Sequence, residues 1–347
     1  MLAAPFVAIF AFPIYILIVS GELLPVPLII KLQDLREPDS LVGLAYTYPV
    51  VPYKLNRTIE KHPKVLVLGT SRVMQFRSTS FVQPDMFYNA GGGVETLAEF
   101  KPFLEKIPAS GQPQVLVVGI DQFFFNRAWL LDNPKPEPVS RADTRDVLGT
   151  IVGNWKRVYG DYIRKRYALS HVLFLPRGGE ERIGLQAFVS HEGFRGDGSF
   201  DYGSTVNPNP AARVVDVFQR IDRGDQRFQR GRQVDPETIE QLAGLLAYCH
   251  SRGIRVIGFL PPYPHSVYAK MKDLAPAYDY MSEIMPSIQP LFDQYGYTLR
   301  DYSDLATLGV SDENIVDGLH GDQAAYALLL MKLADADPVL RSFTKAN

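Results

Sequence analysis

Residues 65–76 read VLVLGTSRVMQF. Four apolar residues run unbroken and stop at Gly69-Thr70-Ser71-Arg72. An all-apolar strand without alternation is one buried on both faces, as in a parallel sheet covered by helices. Two further stretches repeat the pattern, QVLVVGID (114–121) and IRVIGFLPP (254–262). A shorter one, MFYNAGGG (86–93), reads as a strand running into a glycine turn. Between and after them lie stretches with helical spacing at 94–107, 236–253 (with Gly253 as its C-terminal stop), 278–296 and 323–336. Strands alternating with helices predict an α/β fold, a parallel sheet with helices on both faces.

The 347 residues suffice for one large α/β domain or two ordinary ones, and 46% hydrophobic and 12% aromatic content supports a sizeable core. A formal net charge of −2 offers no global attraction for nucleic acid, so no nucleic-acid partner is expected. The single cysteine, Cys249, excludes an internal disulfide and reads as a packing thiol at the end of a helix. Residues 2–21 carry no charge, and after Glu22 comes a second apolar run, LLPVPLII. About 20 apolar residues span a bilayer as a helix. Residues 1–30 are therefore expected to be a single-pass membrane anchor rather than a cleaved signal, since the run is long and lacks a small-x-small cleavage site. Lys31 and Arg36 follow it, which taken alone favours a cytoplasmic body. Residues 31–62 are polar and proline-rich and read as a linker. The α/β domain is expected from 63–125 and 232–347. It is split by a Gly-, Pro-, Arg- and Asp-rich insertion or cap at 126–231 that has no long periodic run.

In an open parallel sheet the loops at the carboxyl ends of the strands line the site. Ser71 falls at such an end, at the start of a turn or helix where backbone N–H groups point outward. A serine hydroxyl needs a base, and the base an orienting carboxylate. Asp317 and His320, three apart in DGLHGD, have the types to supply both, in the order Ser…Asp…His known for acyl transfer on α/β scaffolds. Alone, a serine after Gly-Thr is commonly a turn or cap residue, and D-x-x-H is common by chance. Their joint placement is what carries the reading. Arg72 is a candidate for an anionic substrate group, or else for a salt bridge. Tyr263 and His265, in FLPPYPHSVY after the third apolar strand, are candidates near the site. The stretch 155–171 interleaves bases and aromatics, as a solvated helix face or a lipid- or sugar-contacting one. RGDGSFDYG (195–203) reads as a turn rather than a calcium loop. The six histidines show no zinc pairing, GTS has no P-loop lysine and GGG lacks dinucleotide spacing, so no metal and no cofactor are expected.

These blocks resemble the SGNH/GDSL hydrolase superfamily: GTSR at its nucleophile block, NAGGG at its N-x-G block and DGLH at its D-x-x-H block. The likeness covers roughly 64–125 and 232–340. With the apolar N-terminus, the insertion and Thr70 before the serine, the chain is most similar to the membrane-anchored DltD/AlgJ/AlgX-like branch. That resemblance implies a three-layer, flavodoxin-like sheet. It also implies a bacterial acyltransferase or esterase acting on acyl esters, acetyl foremost, of a cell-envelope polysaccharide or glycolipid, with no cofactor. Ser71 would be nucleophile, His320 base and Asp317 its orienter. The oxyanion hole would use the Ser71 and Gly91 N–H groups. The family's third block supplies an asparagine where this chain has Asp121 in VGIDQFFFN. A carboxylate would repel an oxyanion, so Asn89 or Asn126 is expected to supply the missing donor. Loss of one such donor costs roughly 100- to 1000-fold in rate. The resemblance also places the body outside the cytoplasmic membrane, periplasmic or extracellular, against the charge bias above. The rival expectation is a non-catalytic binding or assembly partner of a membrane-bound O-acyltransferase or polymer-export machine.

Overall fold

A computed structural model describes residues 3–35, 40–47, 49–133, 139–143, 145–168 and 182–345. In chain order the strands are β1 (Leu41–Val42), β2 (Val65–Gly69), β3 (Phe87–Gly91), β4 (Val115–Gly119), β5 (Arg182–Ile183), β6 (Gly193–Phe194), β7 (Phe200–Asp201), β8 (Arg255–Leu260) and β9 (Thr298–Asp301). The helices are α1 (Ala3–Val19), α2 (Val26–Asp34), α3 (Val50–Lys61), α4 (Phe100–Glu105), α5 (Arg127–Asp132), α6 (Val147–Ile163), α7 (Leu185–Ser190), α8 (Pro210–Arg213), α9 (Val215–Arg223), α10 (Pro236–Ser251), α11 (His265–Asp273), α12 (Tyr280–Asp293), α13 (Gln323–Ala336) and α14 (Pro338–Arg341).

Two compact units form. The larger comprises Lys54–Ser140, Asp197–Ser199 and Val206–Asn347. Its sheet has the order β3-β2-β4-β8-β9, parallel throughout and flanked by helices. Every residue of β2, β3 and β4 is buried, as their unbroken apolar runs require. The chain steps from β2 to β3 on one side and then crosses to β4 on the other. The strand order therefore reverses at β2, the position at whose carboxyl end ligands bind in open sheets of this kind. Local signals set the helix ends: the Asp235 carboxylate accepts the Thr238 N–H (3.1 Å), Pro236 opens α10, and Gly253 with φ +68° follows it. The stretch 94–107 is a 3-10 turn at Leu97–Glu99 followed by the short α4, opened by a capping box between Thr96 and Glu99. β9 has no apolar run to announce it, because Arg300 and Asp301 face solvent.

The second unit comprises Met1–Tyr53, Arg141–Gly196 and Phe200–Thr205. Its sheet of two-residue strands has the order β5-β1-β6-β7. α1 packs along α6, with Phe10 against Trp155 (5.8 Å) and Phe12 against Tyr159 (5.3 Å), above a cluster of Ile16, Leu17, Tyr46, Val158, Tyr167 and Leu185. The expected anchor, 1–30, is two helices. The run breaks at Ser20–Leu23, where Gly21 adopts φ +79° and the Glu22 carboxylate accepts the N–H groups of Ala45 (2.8 Å), Tyr46 (2.9 Å) and Leu185 (3.1 Å). α1 has 17 residues, about 26 Å at 1.5 Å per residue. Among the described residues no helix is long and apolar enough to cross a membrane.

Two expected boundaries are corrected. Residues 31–62 are not merely a linker, since they contain the end of α2 and all of α3, whose Tyr53 and Leu55 are buried. Residues 126–231 are not one insertion: Arg141–Gly196 belong with the N-terminal unit, Val206–Gly231 with the larger one.

Candidate active site

Three strands end in glycine for one reason. A Cβ at Gly69, Gly91 or Gly119 would come within 2.9, 2.8 and 2.2 Å of the Val73 side chain. The turn Ser71–Val73 thus settles onto a floor of bare backbone at the carboxyl ends of β2, β3 and β4, with Val73 fully buried. Thr70 caps this turn. Its hydroxyl accepts the Arg72 N–H (3.3 Å) and donates to Asp121 Oδ2 (2.7 Å). Ser71 is left at the front of the turn.

The loop carrying Asp317 and His320 is closed at its base. Ile315 and Gly321 form an antiparallel bridge, and the Val316 N–H donates to His320 O (2.8 Å). Arg213 Nη1 donates to the carbonyls of Glu313 (3.0 Å) and Ile315 (2.6 Å). A Cβ at Gly318 would meet Val217 of α9 at 2.2 Å, so the loop and that helix are in direct contact. Asp322 then caps α13 through the Ala325 N–H (2.8 Å).

This scaffold brings the three predicted residues together across 249 positions of sequence. His320 Nε2 lies 2.9 Å from Ser71 Oγ, and His320 Nδ1 lies 2.9 and 2.8 Å from the two Asp317 oxygens. Asp317 Oδ1 also accepts the N–H groups of Leu319 (2.8 Å) and His320 (2.9 Å). Burial pushes the Asp317 carboxyl up, but the imidazole and these two donors outweigh it and hold it at about 2. With Nδ1–H donating to this carboxylate, Nε2 is the acceptor for the Ser71 hydroxyl, as proton removal requires.

Of the two readings of Arg72, the structure has the salt bridge: its side chain is fully buried and does not face a substrate. Nη1 donates to Asp121 Oδ1 (2.8 Å) and Gln122 Oε1 (2.7 Å), Nη2 to Pro261 O (2.8 Å), and the guanidinium lies 4.0 Å from the centre of the Tyr263 ring. Burial opposes the Arg72 charge, and Tyr263 and Asp121 outweigh it. Asp121 is equally buried. Its negative charge is answered by Arg72 and the Thr70 hydroxyl, so it pins the Ser71–Val73 turn from below. Tyr263, only 1% exposed, is a wall of this ion pair rather than a surface contact. His265 sits on the surface at the start of α11, with Nδ1 3.0 Å from Asp304 Oδ2. The expected oxyanion donors are spent elsewhere. The Gly91 N–H donates to Asn89 Oδ1 (2.8 Å), and Asn89 Nδ2 donates to Val73 O (2.9 Å) and Phe76 O (3.0 Å). Asn126 caps α5 through the Ala128 N–H (2.9 Å) and donates to Gln229 O. Asn89 therefore builds the turn that presents Ser71, and Asn126 anchors the neighbouring segment. Of the expected oxyanion donors, the Ser71 N–H remains.

Gln122, Ser303 and the Val73 floor were not singled out from sequence, and Thr70 was noted only as the residue before the serine. Gln122 Nε2 ties Pro261 O (2.8 Å) to Ser303 Oγ (2.8 Å), joining three strand ends. A visible signal existed for the floor alone: VLVLG, FYNAG and VLVVG all stop on glycine. Comparison with models of known protein families gives no match for this chain, and comparison with curated proteins gives none either.

Proposed function

We propose that the chain is a serine-dependent acyl-transfer protein of the SGNH/GDSL-like kind. In this reading it is held at the bacterial cytoplasmic membrane by its apolar N-terminal segment, with the larger unit outside that membrane. It handles acyl esters, acetyl foremost, of a cell-envelope polysaccharide or glycolipid. The observation that carries the reading is the unbroken line from Asp317 through His320 to Ser71 Oγ at hydrogen-bond distances. His320 takes the Ser71 proton as Oγ attacks an ester carbonyl. The tetrahedral intermediate expels the donor alcohol, which receives that proton, and the acyl group stays on Ser71. His320 then takes a proton from an acceptor hydroxyl or from water, and collapse returns a proton to Ser71 Oγ. The engagement of Gly91 and Asn89 elsewhere leaves little to stabilise an oxyanion. This supports a slow, acceptor-directed transferase over a fast hydrolase. The same observation favours a second reading, a non-catalytic assembly partner of a membrane-bound O-acyltransferase.

Covalent labelling separates the two. The protein is treated with a small sulfonyl fluoride or fluorophosphonate and the adduct mapped by mass spectrometry. The catalytic reading expects an adduct on Ser71 that is absent from Ser71→Ala and reduced on the order of 10³-fold or more in rate in His320→Ala. Folded wild-type protein that stays unlabelled overturns it and leaves the assembly-partner reading.

A further inference from the structure

Tyr326 lies six residues after His320, in the first turn of α13, and is fully buried. Its hydroxyl donates to the main-chain carbonyl of Arg72, the residue that follows Ser71. Burial holds the phenol well above its ordinary range, so it remains a donor at neutral pH. The proton relay from Ser71 to Asp317 does not use this hydroxyl.

The same residue is fixed to the loop that carries the base. Its ring covers Gly321, the residue after His320: a Cβ there would meet Tyr326 Cε2 at 3.0 Å and Cδ2 at 3.3 Å. Its N–H donates to the carbonyl of Asp322 (3.1 Å), the residue that caps α13. The ring also meets Phe76 edge-on (5.0 Å), and Phe76 meets Phe259 of β8 in the same way (5.7 Å), so the ring is packed in place. One circuit then closes through two hydrogen bonds, Tyr326 Oη to Arg72 O and His320 Nε2 to Ser71 Oγ (2.9 Å). Ser71 and Arg72 are chain neighbours, and His320 and Tyr326 are six apart, whereas 249 positions separate Ser71 from His320. The first bond therefore limits how far the second can open. Other supports of the loop point elsewhere. Arg213 of α8 holds the carbonyls of Glu313 and Ile315, and Gly318 lies against Val217 of α9.

We infer that Tyr326 is a positioning residue: it ties the nucleophile turn to the helix behind the base's loop and so sets the distance between Ser71 Oγ and His320 Nε2. Its consequence for rate rests on the acyl-transfer reading. A misplacement of about 1 Å between reacting groups costs on the order of 100-fold in rate. Without the hydroxyl, the turn and the loop are each still held by their own contacts, but this tie between them is gone.

The test uses the full chain as wild type, Tyr326→Phe, Tyr297→Phe, Ser71→Ala and His320→Ala. Tyr326→Phe keeps the packed ring and removes the hydroxyl. Tyr297→Phe is the matched control. Its hydroxyl donates to the carbonyl of Ile254 (2.8 Å), a buried residue at the amino ends of β8 and β9, the end of the sheet opposite Ser71. Both variants are expected to melt roughly 2–8 °C below wild type, since each leaves a buried carbonyl without its donor. Labelling of Ser71 by a small sulfonyl fluoride, at a temperature where every variant is folded, is expected to slow tenfold or more in Tyr326→Phe. In Tyr297→Phe it is expected to stay within twofold of wild type. In imidazole nitrogen NMR spectra, the His320 Nε2 signal is identified by its loss in His320→Ala. It is expected to move in Tyr326→Phe at least halfway to its position in Ser71→Ala, and to stay in place in Tyr297→Phe. An unmoved His320 signal in Tyr326→Phe overturns the assignment, as does an equal slowing or movement in Tyr297→Phe. So does a Tyr326→Phe labelling rate within twofold of a wild type that labels. If wild-type Ser71 never labels while the His320 signal moves as described, the positioning role stands and the acyl-transfer reading falls.

Discussion

In β2, β3 and β4 every residue is buried, whereas in the N-terminal unit Ile18 of α1 is 59% exposed and Leu148 and Ile163 of α6 are 66% and 74% exposed. The two regions are built from the same apolar residue types. In the larger unit these residues close around a serine and its supports, so a change of one atom beneath Ser71 is felt. In the N-terminal unit they line an aromatic seam between two helices and then continue onto the surface. The contrast separates apolar residues that hold a site from apolar residues that present a face.

The sharpest way to break the contrast is at the buried ion pair. Asp121→Ala leaves the Arg72 guanidinium fully buried without its carboxylate, at about 3–5 kcal/mol. Urea denaturation of the variant is expected to show a loss of this size; a loss below about 1 kcal/mol would mean that Gln122 and Pro261 suffice for Arg72.

Next in size is the glycine floor. Gly119→Ala places a Cβ 2.2 Å from Val73 Cγ1 and is expected to cost about 1–3 kcal/mol by overpacking. In a Val73→Ala background the same substitution is expected to cost under about 0.5 kcal/mol, since the clashing methyl is gone. Equal costs in both backgrounds would remove Val73 as the reason for the glycine.

Acid exposes a smaller effect. Asp317 is held at about 2, and Asp197 and Asp337 are also held below the usual carboxylate range. For Asp197, burial is outweighed by Ser199, Arg77 and the Ser78 N–H; for Asp337, by the Leu340 N–H, Arg255 and Thr298. A folded-state value below the unfolded one, about 3.9, contributes stability that is present above that pH and lost as pH falls through the folded value. Melting temperature is therefore expected to decline from about pH 4 towards pH 2. Asp317→Asn is expected to shallow that decline only slightly, because its side chain is 48% exposed and solvent screens it. An undiminished decline in Asp317→Asn would place the acid sensitivity in the other carboxylates held low, Asp143 beside Arg145 among them.

The same contrast explains what was legible in the sequence. Unbroken apolar runs announced β2, β4 and β8 because burial on both faces leaves no alternative composition. Ser71, Asp317 and His320 were legible because a strand end and a short loop place them with little freedom. The engagement of the Gly91 N–H and the Asn89 amide was not legible. Residue type does not say which acceptor a backbone N–H will find, and Asn89 took the Gly91 N–H through an i to i+2 contact. Arg72 read either as a contact for an anionic substrate group or as half of a salt bridge, and its partner could not be named because it lies 49 positions away in β4's outgoing loop. The anchor was read as one element because composition does not reveal the turn that buries Glu22. The split of 126–231 between two units was hidden for a related reason, since α6 joins α1 through contacts far apart in sequence.

The smallest expected effect on stability tests the presented face. Leu148, Val152, Trp155, Tyr159 and Ile163 follow one stripe of α6 at helical spacing. Trp155 and Tyr159 meet α1, while Leu148, Val152 and Ile163 stay exposed. Lys156, Arg157, Arg164, Lys165 and Arg166 are exposed on the same helix and just beyond it, the pattern of a surface that lies against anionic lipid. A Leu148→Glu/Val152→Glu variant removes exposed apolar area. Stability is expected to change by less than about 0.5 kcal/mol. If α6 lies against the membrane together with the tether proposed above, flotation with phosphatidylserine-containing vesicles is expected to fall. Unchanged flotation with unchanged stability would leave α1 as the sole tether. A loss of stability above about 1 kcal/mol would instead mean that this stripe is packed core, and the contrast between the two regions would narrow to α1.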